Sequence, residues 1–401
     1  MPDNQHTRRR VLVTDGEQRA TLAVVRSLGA AGHTVYVCAS TSRTLAGASR
    51  FAQSEHAVAN ALADPATFAN DVRTLISQLD IDTLIPMTEP ALLALLPERE
   101  RLGNVLIPFA GADTFAAISD KQAVLAAAGR AGIATPAQTV IQDASTTFDT
   151  SSIAYPVVVK PARSVSTGTG DRLKLSVQHA ASARELNSIL EAMDPRAYPL
   201  LLQQRIVGPG VGIFVLLWDG QLVAQFAHQR IREKPPSGGI SVYRASIAVA
   251  PDLLARSVAL LSEFAWRGVA MIEYKLDERT GTAYLMEING RFWGSLQLAI
   301  DAGVDFPRLL IEVATGQTPA PVTQFRTGMR SRWFWGDVDH LLTRLRRSDA
   351  QLSLPEGSPT RWGAVRDFFR HSPQDVDEIR RRGDMRPFAR ESIQWFRQLG
   401  R

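Results

Sequence analysis

Residues 268–291 read GVAMIEYKLDERTGTAYLMEINGR, and this stretch decides how the chain is built. Two runs rich in β-branched and aromatic residues flank Arg279-Thr280-Gly281, which predicts a β-hairpin. Glu273 and Glu287 each interrupt an otherwise apolar strand. A buried carboxylate needs a partner or a metal. A three-residue loop with Gly281 left-handed places Glu273 opposite Glu287, with Asn289 two residues on and on the same face; a four-residue loop breaks that geometry. Two carboxylates and an amide oxygen suit Mg²⁺. Arg291 follows at once and can stabilise charge on a phosphoryl group or oxyanion, or serve as charge partner to the glutamates. The plainer alternative is a pair of edge-exposed glutamates.

Upstream, Pro156-Val-Val-Val-Lys160 ends an apolar strand on a lysine that must emerge into a cleft or meet an anion. Lys121 sits near a helix start expected at Ser119-Asp120-Lys121, where exposed amides favour anions. Between them in function, Ser164-Val-Ser-Thr-Gly-Thr-Gly170 is small and Gly-bearing, suited to folding over phosphates or to an ordinary hairpin connection. No Gly-x-x-x-x-Gly-Lys-Ser/Thr loop is present, and no Gly-x-Gly-x-x-Gly follows the first strand.

Further toward the N-terminus the pattern changes. Apolar strands at 11–14, 34–39, 83–87 and 105–109 alternate with helical patterns at 19–31 and 68–79, which argues for an open parallel α/β sheet. Ligands of such sheets sit beyond the carboxyl ends of the strands, where Thr14-Asp15-Gly16 and Thr88-Glu89 fall. After Gly132 the strands at 155–160 and 200–206 and a hairpin at 213–230 about Asp219-Gly220 suggest an antiparallel α+β layout. His228, Arg230 and Arg232, on one face of an alternating strand, and Glu89 are candidate substrate contacts.

At 401 residues with 45% apolar and 21% charged residues, the chain is an ordinary globular polypeptide of two or three domains. Its single cysteine, Cys38, excludes an internal disulfide and a cysteine-based zinc site. The polar N-terminus and the absence of any long apolar run leave the cytosol as the expected compartment. From Leu341 to Arg401 there are thirteen Arg and no Lys against eight acids, so the tail carries the whole net charge of +5 and the body is not expected to bind nucleic acid. Basic and aromatic residues in the tail fit either a membrane surface or polymer, or aromatics packed on the body with solvated arginines; packing is the expected outcome.

Taken in order, Ser-Asp-Lys121, Tyr-Pro-Val-Val-Val-Lys160-Pro, the flexible loop, Gln203-Gln204-Arg-Ile206-x-Gly208, Glu273 and Glu287-Ile-Asn289-Gly-Arg291 resemble the ATP-grasp superfamily over roughly residues 10 to 315. That superfamily includes biotin carboxylase, glycinamide ribonucleotide synthetase and D-alanine–D-alanine ligase, and the look is that of its carboxylate–amine ligases. The resemblance implies an N-terminal α/β domain (1–115), an ATP-grasp small lobe (116–205), a large lobe with the metal hairpin (206–318) and a mostly helical basic, aromatic-rich extension (319–401). It implies ATP contacts from Lys121, Lys160, Ser166, Thr167, Gln203, Gln204 and Ile206. Glu273, Glu287 and Asn289 would hold one or two Mg²⁺, with Mn²⁺ as an alternative, and Arg291 would face the transferring phosphate. The hinge carries glutamines where an acid is usual, and the acid that often follows the hinge glycine is replaced around Gly210. The implied chemistry is activation of a small-molecule carboxylate as an acyl-phosphate and its capture by an amine. Carboxylation, another acyl-phosphate transfer, or nucleotide binding without turnover are the alternatives, and a homodimer is left open.

Overall fold

The computed structural model describes residues 8–399 apart from 147, 167, 169, 355, 356 and 371. Strands β1 (Arg10–Val13), β2 (Thr34–Ala39), β3 (Ala52–Ala57) and β4 (Thr83–Ile85) form a parallel sheet in the order β3-β2-β1-β4. Val11, Leu12 and Val13 are wholly buried, as a strand covered on both faces requires. Helices α1 (Arg19–Ala30), α2 (Pro65–Gln78) and α3 (Glu89–Leu95) join them. Asp64 caps α2 and Pro65 opens it, so that helix starts a turn before the apolar pattern does. The polar edge strand β3 escapes a reading based on apolar runs, and the strand expected at 105–109 reduces to a single bridge from Thr83 to Leu106.

Helices α4 (Ala112–Ser119) and α5 (Lys121–Arg130) lead out of this layer. Asp120 accepts the Gln122 and Ala123 N–H groups at the start of α5. Strands β5 (Gln138–Ile141), β6 (Val157–Pro161), β7 (Gln178–Ala180) and β8 (Leu200–Gln204) form an antiparallel sheet ordered β5-β8-β6-β7. Val157, Val159, Leu200 and Leu202 pack with Leu186 of α6 (Ala183–Glu191) in a separate small core. By alternation, Val158, Lys160, Leu201 and Gln203 share the opposite face, and Leu201 joins the main core.

The third sheet is seven-stranded: β9 (Gly210–Trp218), β10 (Gln221–Lys234), β11 (Ile240–Ser246), β12 (Gly268–Asp277), β13 (Thr282–Asn289), β14 (Arg330–Arg332) and β15 (Asp375–Asp377), in the order β13-β12-β9-β10-β11-β14-β15. Asp219 and Gly220 both have positive φ, the tight-turn conformation expected between β9 and β10. Helices α7 (Pro251–Glu263), α8 (Leu296–Ala302) and α9 (Phe306–Ala314) complete this layer. The architecture is therefore a parallel α/β sheet followed by α+β sheets that are antiparallel apart from the parallel β14–β15 pair.

The C-terminal stretch carries α10 (Phe334–Arg346), α11 (Arg361–Phe369) and α12 (Arg386–Leu399) as well as strands β14 and β15. Its aromatics pack: Trp335 stacks on Trp395 at 4.2 Å between centroids, and Trp333 donates its indole N–H to Glu391. Arg26 of α1 pairs with Asp384 at 2.8 Å, and Glu378 sits between Arg19 and Arg244 at 2.5 Å from each. The expectation that the tail arginines stay solvated fails for Arg344, which is buried between Asp349 and the Pro359 carbonyl. Removing a guanidinium from water requires this many acceptors. Trp362 and Phe369 of α11 remain exposed. Among the described residues no helix is long and apolar enough to cross a membrane.

Candidate active site

Glu273 does lie opposite Glu287, and Met271 opposite Asn289, but by a different route from the one expected. Asp277 pairs with Thr282, which leaves a four-residue loop, 278–281, with Gly281 at φ 72°. That loop alone would set Glu273 opposite Met286. A bulge then leaves Met286 unpaired, and the register recovers so that Glu273 meets Glu287. A bulge re-aims side chains where a site needs it. Lys160 Nζ lies 3.6 Å from the sulfur of this extra residue.

The cations converge on the hairpin. Lys121 Nζ is 2.9 Å from the Ser164 hydroxyl and 3.7 Å from Glu287. Arg291 donates to the Asn289 side-chain oxygen at 3.0 Å, and the Asn289 amide nitrogen donates to Glu287 at 3.0 Å. Arg230 reaches Glu273 at 2.5 Å and Glu233 at 2.7 Å. The two facing carboxyls differ in consequence. Burial raises that of Glu273, with only part of the effect offset by Arg230. Burial also works against the Glu287 anion, but Lys121, the Asn289 amide, Lys160 and Arg291 together hold its carboxyl below the ordinary range. Burial lowers the Lys160 ammonium. The donor set of two carboxylates and an amide oxygen fits Mg²⁺, whose remaining positions water and phosphate oxygens fill. Among the described residues no cluster of three or more His, Cys, Asp or Glu offers an alternative metal site.

Gln203 is buried, donates its amide N–H to Gln138 at 2.9 Å and, among the described residues, leaves its side-chain oxygen without a partner. That orphan acceptor lies on the Lys160 face of the small sheet. His179, opposite Val158, shares that face and has an unpartnered buried ring nitrogen; no sequence signal marked it. The Gln204 side chain is exposed while its backbone N–H bonds Ala137, and Ile206 follows the strand in a loop. Ser166 accepts from the Leu173 N–H at 2.8 Å; Thr167 lies outside the described residues. Arg172 N–H bonds the Leu62 carbonyl, tying this loop to the N-terminal layer.

Strand β10 does not present the row of basic residues expected of it. His228 is 1% exposed and sits edge-on against Phe214, so it faces the core. Burial pushes its imidazole well below the usual range. A bulge after Arg230 sets Arg230 opposite Arg244 but Arg232 opposite Tyr243, and successive residues point to opposite faces. Arg232 therefore turns away and makes a bidentate pair with Asp337 of α10. Only Arg230 reaches the hairpin. It crosses Gly210, where a Cβ would lie 2.8 Å from its side chain. The acid that the resemblance leads one to expect around Gly210 is thus replaced by space for an arginine.

The carboxyl ends of the parallel strands close the cleft. Glu89 opens α3 after its Thr88 cap. Burial raises its carboxyl while Arg291 and Lys121 oppose the shift. Asp15, at φ 56°, accepts from Thr88 at 3.0 Å, and burial raises its carboxyl too, against Arg291. The structure brings Lys121, Lys160, Glu89, Glu273, Glu287, Asn289 and Arg291 into one cluster, with Arg230 at its edge, and leaves His228 and Arg232 outside it.

Residues 196–336 match the model of a family described as ATP-grasp in the biosynthetic pathway with Ter operon, a span that includes Glu273, Glu287, Asn289 and Arg291. An L-amino acid ligase from Bacillus licheniformis superposes with a TM-score of 0.61 at 17% identity, over 81% of this chain and 79% of that one. The chain has an ATP-grasp fold. Biotin carboxylase of Campylobacter jejuni, solved with a β,γ-ATP ligand, shares the ATP-grasp fold at a TM-score of 0.61 and 14% identity, over 82% and 75% of the two chains. The ADP complex of N5-carboxyaminoimidazole ribonucleotide synthetase does so at 0.58 and 15%, over 79% of each. No curated protein matches the chain in sequence.

Proposed function

We propose that this protein is an ATP-dependent ligase that activates a carboxylate as an acyl-phosphate and joins it to an amine. The observation that carries the proposal is the ring of Lys121, Lys160 and Arg291 around two facing carboxylates, Glu273 and Glu287, in an ATP-grasp fold. Glu273, Glu287 and Asn289 hold Mg²⁺, which withdraws charge from phosphate oxygens when bound. Lys121 and Lys160 position the triphosphate, and the orphaned Gln203 oxygen accepts the amino group of adenine. Gln204 and Ile206 line the base through the hinge, and Ser166 contacts the phosphates.

A substrate carboxylate oxygen attacks the γ-phosphorus, the bond to the β-phosphate oxygen breaks and ADP departs. Arg291 faces the charge that develops. The amine nitrogen then attacks the acyl carbon; the C–N bond forms, phosphate leaves with the electron pair of the broken C–O bond, and the departing phosphate takes the nitrogen's proton. Positioning and electrostatics supply most of the catalysis. The test is ADP release from Mg-ATP against pools of amino acids and small carboxylates, with Glu287→Gln as control and hydroxylamine to trap the acyl-phosphate. Carboxylate-dependent ADP release and a hydroxamate product are expected. Turnover that survives unaltered in the variant, or that requires bicarbonate and yields no hydroxamate, contradicts the reading.

A further inference from the structure

A cavity of about 580 Å³ lies beside the hairpin, between Gly208–Gly210, the bulged end of β10 and the helices α10 and α11 of the C-terminal stretch. Its size is that of a site for a small organic molecule. Arg230 belongs to both places: its guanidinium pairs with Glu273 and its side chain lines the cavity. Two other lining arginines are already satisfied, Arg232 by Asp337 and Arg344 by Asp349. Glu233 is taken by Arg230 and Lys275. Arg330 and Arg370 line the same cavity; Arg330 bonds the Tyr243 side chain, and the Asp367 carboxylate on the same wall pairs with Arg366. Ile231, Leu354 and Pro359 give the wall an apolar portion. The floor, with Arg230 and Arg330, falls within the span that the family model matches, whereas the α10–α11 roof lies almost wholly beyond residue 336, where that match ends.

We propose that the cavity binds the amine acceptor, and that this acceptor is an amino acid or short peptide whose own carboxylate is not consumed. Guanidinium groups match a carboxylate in shape and charge. Arg330 and Arg370 hold that carboxylate, the apolar body lies on Ile231, Leu354 and Pro359, and the amine end points past Arg230 toward the hairpin. The proposal extends the ligase reading, yet its test is independent of turnover.

Binding to the full chain without nucleotide is measured by calorimetry for L-leucyl-L-leucine, its C-terminal amide and inorganic phosphate. The dipeptide is expected to bind, the amide at least about tenfold more weakly, and phosphate not to compete. In an Arg330→Gln/Arg370→Gln variant, dipeptide affinity should fall at least about tenfold while ADP affinity is unchanged. Equal binding of dipeptide and amide, equal binding to the variant, effective competition by phosphate, or no dipeptide binding at millimolar concentration overturns the proposal. If the dipeptide binds as expected and no acceptor elicits ADP release, the ligase reading fails and the site stands.

Discussion

Two pairs of cations, Lys121 with Lys160 and Arg230 with Arg232, are held differently. Lys121 and Lys160 make long contacts at the hairpin, 3.7 Å from Lys121 to Glu287 and 3.6 Å from Lys160 to the Met286 thioether. Arg230 is locked between Glu233 and Glu273, and Arg232 onto both oxygens of Asp337, at 2.5–2.7 Å. Sequence alone presents all four as basic residues on strands or at helix ends. What separates them is whether local acids already consume their charge: the lysines keep capacity for a polyphosphate, whereas Arg232 serves as scaffold and Arg230 as a strut across Gly210.

The largest effect expected from disturbing this contrast is on the loosely held side. Glu287→Gln removes the charge that Lys121, Lys160 and Arg291 all face, and ADP release should fall about 10³-fold, roughly 4 kcal/mol of barrier. Steady-state kinetics with circular dichroism as a fold control checks this. On the locked side, Arg232→Ala should leave nucleotide affinity unchanged but cost about 2 kcal/mol in denaturant unfolding. Asp337 is fully buried and, among the described residues, keeps only Arg332 as an ionic partner. Lys160→Ala should raise the KM for ATP about tenfold with little loss of stability. Because burial lowers the Lys160 ammonium, ATP affinity should also decline at a lower pH than for an ordinary lysine as pH rises, a dependence the alanine variant lacks.

The smallest effect lies farthest from the cleft. Burial pushes the Glu391 carboxyl up to about 7. A carboxyl whose folded pKa exceeds its unfolded value contributes stability that is complete below the unfolded pKa and is lost as pH rises through the folded one. The Tm should therefore decline between about pH 5 and 7, and Glu391→Gln should flatten that decline by a few degrees at most. A profile indistinguishable from the parent's removes Glu391 from the account.

The same contrast explains what could be read from the residues. The parallel layer and the 268–291 hairpin were legible because their apolar patterns are strong. A three-residue loop predicts that Glu273 faces Glu287; the molecule reaches that pairing with four loop residues and a bulge at Met286. Nothing in Leu-Met-Glu announces a bulge, since neither Gly nor Pro marks it. On β10 the same kind of irregularity broke the expected alternation and turned Arg232 outward. Period-2 reasoning fails wherever one unpaired residue intrudes. The partnering of Gln203 by Gln138, and of Arg230 by Glu273, depends on contacts distant in sequence that no local pattern encodes.

The central claim, that Glu273, Glu287 and Asn289 grip magnesium beside a nucleotide, is tested most directly by titrating ADP calorimetrically with and without Mg²⁺ into the parent chain and into Glu273→Gln/Glu287→Gln. The account predicts that Mg²⁺ tightens ADP binding to the parent and does nothing for the double variant. An equal gain from Mg²⁺ in both proteins would contradict it.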